Sequence, residues 1–197
     1  MLNWLKNIRA KIRDLNTTVN TYKDETENQT LPIIAHINRA KKFMDKSLFL
    51  EARDILTEAL AISDKDSLVY RYLGMCEEQL GNLKSAIEMY QKSTQINPQD
   101  KTSWHKLGML QVSIKDYESA ENSFENASKI NPTNTDIQTG WGMSLLKQKK
   151  YNQALEKFTK AIQINRYNFS AMLLAAITEI RLGNYNDAEP KLIFNEN

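Results

Sequence analysis

Residues 101–134 read KTSWHKLGMLQVSIKDYESAENSFENASKINPTN, and their pattern decides the fold. Trp104, Leu107, Gly108 and Gln111 fall at helical spacing. One face of a helix therefore carries the bulky groups, and Gly108 lets a neighbouring helix come close. Lys115-Asp116 makes a short turn. Tyr117, Ala120, Phe124, Ala127 and Ile130 then recur at three- and four-residue steps, which is a second amphipathic helix. Asn131-Pro132 stops it, because the residue before a proline is pushed out of the α region. The stretch is a helical hairpin, and one hairpin buries its apolar face only by stacking on neighbours.

The same content returns every 34 residues, as from Asn97-Pro98 to Asn131-Pro132. Gly74, Gly108 and Gly142 keep that step, each followed by Met. Ala52, Ala86, Ala120, Ala154 and Ala188 form a column, as do Phe49, Leu83, Tyr117, Tyr151 and Tyr185. Leu56, Tyr90, Phe124, Phe158 and Leu192 form a third, and Ile62, Ile96, Ile130 and Ile164 a fourth. A period of this length marks a stacked array. The low counts of glycine (6) and proline (4) among 197 residues agree, since a β-sandwich or barrel needs turn signals every few residues.

The 34-residue hairpin closely resembles the tetratricopeptide repeat family, whose pattern runs aromatic, Leu-Gly, Ala, aromatic, Ala and a terminal Pro. Residues 67–100 match it through Tyr70, Leu73, Gly74, Ala86, Tyr90 and Pro98. Residues 101–134 match through Trp104, Leu107, Gly108, Ala120, Phe124, Ala127 and Pro132. In 135–168, Gly142, Ala154, Phe158 and Ala161 match, while Trp141 replaces the Leu and Arg166 the Pro. In 33–66, Ala52, Leu56 and Ala59 fit, but Arg39-Ala40 replaces Leu-Gly. Residues 169–197 are degenerate, with Ala175-Ala176 for Leu-Gly and Pro190 inside the expected second helix. The strict 34-residue step argues against the 35-residue helical repeat that reads RNA bases. The resemblance implies an all-α, right-handed solenoid of stacked antiparallel helix pairs over 33–197. Residues 1–32 precede it as an N-terminal amphipathic helix and a polar linker.

In that N-terminal segment, Leu2, Leu5, Ile8, Ile12, Leu15 and Val19 share one helical stripe. Lys6, Arg9, Lys11 and Arg13 decorate it. It fits three roles: a cap on the first repeat, a contact with another chain including homo-oligomerisation, or a peripheral membrane contact through Leu2, Trp4, Leu5 and Ile8. At the other end, Pro190 should break or delay the last helix.

Twenty-six basic residues against 24 acidic ones give a net charge of +2. The interspersed signs lack the basic face of a nucleic-acid binder. The lone Cys76 forms no internal disulfide, and Met1–Leu15 lacks an uninterrupted apolar core of a signal peptide, so the expectation is cytoplasmic, with membrane association open. Phosphate loops and the Cys-x-x-Cys, His-Glu-x-x-His and Gly-x-Ser-x-Gly motifs do not occur. His36 and His105 fall two repeats apart, too far to share a metal, and Cys76 reads as a packed thiol. The expectation is no catalytic residue, no cofactor and no metal.

The resemblance further implies a concave groove lined by first helices, holding a peptide or helix of a partner protein. Its columns here are Met75, Met109 and Met143; four residues earlier Arg71, His105 and Thr139; three residues later Glu78, Val112 and Leu146. The first repeat adds Ile37, Lys41 and Met44, and the last adds Leu173, Ile177 and Ile180. The groove should be charged at its start and apolar toward its end. The family's carboxylate clamp is not reproduced: the matching positions hold Ile37, Lys41, Tyr72, Thr102 and Lys106, or Arg71, Met75, Lys106, Asp136 and Gly140. The expected function is a non-catalytic interaction scaffold. The alternatives are a self-assembling membrane-peripheral scaffold built on the N-terminal helix, and a regulatory subunit of an enzyme on another chain.

Overall fold

The computed structural model describes residues 32–184. The N-terminal segment, Ala188, Pro190 and Leu192 lie outside the described residues. Within them the structure is entirely helical: α1 over 32–44, α2 Phe49–Ile62, α3 Ser67–Gln79, α4 Leu83–Ile96, α5 Lys101–Ser113, α6 Tyr117–Ile130, α7 Thr135–Lys147, α8 Tyr151–Ile164 and α9 Phe169–Leu182. Each odd-numbered helix up to α7 pairs with its successor as a hairpin, and α2, α4, α6 and α8 each pack on the first helix of the next unit. Across a repeat, α5 touches α7 and α7 touches α9, whereas no comparable contact joins α4 to α6 or α6 to α8. First helices therefore crowd on the inside of the curve and second helices splay on the outside. The expected solenoid is what forms.

The hairpin interior is set by volume. A β-carbon on Gly142 would lie 2.5 Å from the Phe158 ring, and one on Gly74 would lie 2.9 Å from the Tyr90 ring. The glycine column thus makes room for the aromatic of its own second helix. The first repeat solves the same problem differently: Ala40 occupies the glycine position, and the smaller Leu56 the aromatic one, both fully buried in one cluster. That is why Arg39-Ala40 still forms a complete hairpin.

Two further columns fix the helix ends. Asp66, Asp100, Asn134 and Asn168 precede α3, α5, α7 and α9, and each side chain accepts a backbone N–H bond from the first helical turn. Inside each unit, Ser47, Gly81, Lys115, Lys149 and Gly183 all adopt positive φ, between 60° and 83°. After each, the next N–H reaches back to a carbonyl five residues earlier, as from Asp116 to Gln111 (2.9 Å) and from Lys150 to Leu145 (3.0 Å). This left-handed closure ends the first helix. The helices α4, α6 and α8 end at Asn97, Asn131 and Asn165, whose φ values of -126°, -136° and -135° lie outside the helical region. Asn165 does so without a following proline, its Oδ1 accepting the Tyr167 N–H at 3.0 Å.

Candidate groove on the first helices

The expected groove residues lie on α1, α3, α5, α7 and α9, and the curvature brings those helices side by side. Met75 and Met143 are half-buried and Met109 is 36% exposed, so the methionine column is not sealed inside. Met75 rests on the cluster of Tyr90 and Leu107. Met109 leans toward the next repeat, its Sδ filling the space beside Gly140. Val112 and Leu146 are half-buried at the groove wall. Ile37 departs from expectation: it is buried in the first core cluster with Leu56 and Val69 and does not line a groove. Lys41 is exposed, with its Nζ 6.0 Å from the Tyr72 ring centroid.

Around α3 and α5 the polar groups close on one another. The Arg71 guanidinium donates to Asp100 Oδ1 at 3.0 Å and sits over the Tyr72 ring. Asp100 also accepts from Ser103 (2.7 Å) and Ser93 (3.3 Å), and the two hydroxyls lie 2.9 Å apart. Burial pushes the Asp100 carboxyl up, but the Ser103 bonds and the Arg71 charge outweigh it and hold it below its ordinary value. Lys106 Nζ pairs with Glu78 Oε1 at 3.0 Å, and the Tyr90 hydroxyl donates to Glu78 Oε2 at 3.0 Å. His105 lies against Phe124, ring centroids 6.1 Å apart. Burial, helped by the Lys106 charge, depresses its basicity against the opposing pull of Asp136 and Glu78, and favours the neutral ring. Arg71, expected as a groove ligand, is thus already engaged in joining two repeats.

Toward α7 and α9 the character changes. Thr139 donates to the Thr135 carbonyl at 2.8 Å and meets Asn168 Nδ2 at 3.4 Å. Beyond it, Leu173 is 51% exposed, Ile177 36% and Ile180 43%. Between the end of α7, the start of α8 and α9 lies a cleft of about 440 Å³. Met143, Leu146, Tyr151 and Ile177 form its apolar wall, and Lys147, Lys149 and Arg181 its rim. Met143, Leu146 and Ile177 of this cleft are among the expected groove residues; Lys147, Lys149 and Arg181 are not. Lys147, Lys149 and Arg181 come from different parts of one unit and the next, and only stacking brings them together.

Of the remaining reactive groups, Cys76 is fully buried, and burial, aided by Glu77, pushes its thiol up to about 11. The nucleophilic thiolate is scarce at neutral pH. His36 Nδ1 lies 2.7 Å from the Pro32 carbonyl, and its Nε2 lies 3.7 Å from Glu58. Among the described residues no three His, Cys, Asp or Glu side chains gather as metal ligands, and no helix is long and apolar enough to cross a membrane.

Among curated proteins, none matches this chain. Solved structures do. MamA 41-end from Desulfovibrio magneticus RS-1 is 16% identical, with a TM-score of 0.76 over 81% of this chain and 90% of that one. YrrB, described as a TPR protein with an unusual peptide-binding site, is 20% identical, with a TM-score of 0.74 over 84% and 86%. PilF of Pseudomonas aeruginosa is 22% identical, with a TM-score of 0.73 over 83% and 75%. At these identities the likeness is one of fold. Family models carry the assignment: the tetratricopeptide repeat matches residues 67–100, and the cytochrome c-type biogenesis protein H TPR domain matches 93–191, half of the chain. The chain belongs to the tetratricopeptide repeat family.

Proposed function

We propose that this chain is a non-catalytic scaffold that holds a peptide or helix of a partner protein along its first helices. The observation that supports this most is the apolar row on the inner layer, where Met109, Leu173, Ile177 and Ile180 are exposed and Met143 is half-buried. Covering each fully contributes about 1.5–3 kcal/mol before ordering costs. Methionine adapts its shape to irregular guests, and helix-in-groove recognition uses a surface of this kind. The peptide-binding site named for YrrB agrees with a shared use of the fold.

Changing Met109 and Met143 together to Glu should abolish capture of the partner while leaving the helical circular dichroism unchanged. Capture that survives the double change would move the site off the first helices.

A further inference from the structure

The cleft between α7 and α9 combines an apolar floor with a rim of one sign. Lys147, Lys149 and Arg181 line it, and none of its described lining residues is a carboxylate. Among the described residues, none of the three cations takes part in an ion pair. The next lysine along the turn shows the contrast: Lys150 is held by Glu121 at 2.7 Å. Lys149 occupies a left-handed position, φ 62°, as do Ser47, Gly81, Lys115 and Gly183 in the other units. A positive φ suits glycine, and a lysine there carries a conformational cost.

On the groove reading above, we propose that this cleft selects an acidic amphipathic segment of a partner protein. Leu- or Ile-like side chains enter between Met143, Leu146 and Ile177, and flanking Asp or Glu side chains meet Lys147, Lys149 and Arg181. Charge complementarity chooses the occupant. The N-terminal stretch of this chain carries Lys6, Arg9, Lys11 and Arg13, the same sign as the rim, so its charge does not complement the cleft. A flat anionic bilayer presents charge but cannot reach into a cleft between two helices. The carboxylates are side-chain groups on an internal segment, so no free C-terminus is required.

The probe is an N-acetylated, C-amidated helical peptide with Leu at i, i+3, i+4 and i+7 and Glu on both flanks. Its binding to the full chain is followed by fluorescence anisotropy. A partner peptide with Lys in place of Glu is the control. The Glu peptide should bind at least tenfold tighter than the Lys peptide, with an affinity that falls as salt is raised. Lys147→Glu with Lys149→Glu should reverse the preference, and both side chains are exposed, so the fold is retained. Ile177→Ser should weaken both peptides. Equal binding of the two peptides, a preference that charge reversal leaves unchanged, or no binding of either overturns the proposal. Binding of anionic phosphatidylserine vesicles, lost on charge reversal and without peptide selectivity, overturns it in favour of a lipid surface. If natural-partner capture is lost in the Met109→Glu, Met143→Glu variant but survives charge reversal, the groove stands and the acidic specificity alone fails.

Discussion

The stretch from α3 to α5 and the stretch from α7 to α9 are built on one backbone plan, yet they spend their charges differently. In the first, Arg71 meets Asp100, Lys106 meets Glu78, and Ser93, Ser103 and Tyr90 complete the pairs. In the second, Lys147, Lys149 and Arg181 stand around Met143 and Ile177 without a carboxylate among the described lining residues. Charges closed on each other fasten repeats together. Charges left open beside apolar side chains remain free to meet something else. One backbone plan thus accommodates both arrangements without altering a helix.

The largest test of this division is Asp100→Ala. It strands the buried ends of Arg71, Ser93 and Ser103 and removes the cap of α5. The expected loss is about 3–5 kcal/mol in urea unfolding, against about 0.5 kcal/mol or less for Arg181→Ala. Similar losses at the two positions would erase the distinction. A smaller effect of opposite sign is expected from Lys149→Gly, which relieves the positive φ and should raise stability by about 1 kcal/mol. It should do so while weakening the Glu peptide, separating the turn's stability from its use.

The finest test is pH. His105 is held neutral in the fold, below its ordinary value of 6.5, so the unfolded chain takes up the proton more readily. Stability from this source is complete above that value and declines as pH falls below it. His105→Gln should flatten thermal unfolding over that window and leave the decline below 3.8, where Asp100 begins to be protonated in the unfolded chain, in place. A profile unchanged by the substitution would detach His105 from the paired region.

Much of the array was legible because its columns are large or chemically singular. Gly142 against Phe158, and Asn131-Pro132 at a helix end, are signals that survive without neighbours. The exchange of Gly and aromatic for Ala40 and Leu56 was visible only as a mismatch until both were seen to fill one space. The left-handed column hid because Ser47, Lys115 and Lys149 are not residues that announce such a turn. Asp66, Asp100, Asn134 and Asn168 recur at the repeat step, and that recurrence could have been read as a cap series.

Of the candidate groove, the exposure of Met109 and Ile177 followed from periodicity, while the burial of Ile37 did not. Ile37 sits in the first unit, where the cluster of Leu56 and Val69 claims it. The alternation of apolar and small residues by itself determined the hairpins and their number within the described chain, because helical geometry converts spacing directly into a face. Stacking decided which charges distant in sequence find partners. Arg71 and Asp100 are 29 residues apart and touch only when two units close, and Lys147 and Arg181 come to one cleft only because α9 lies beside α7.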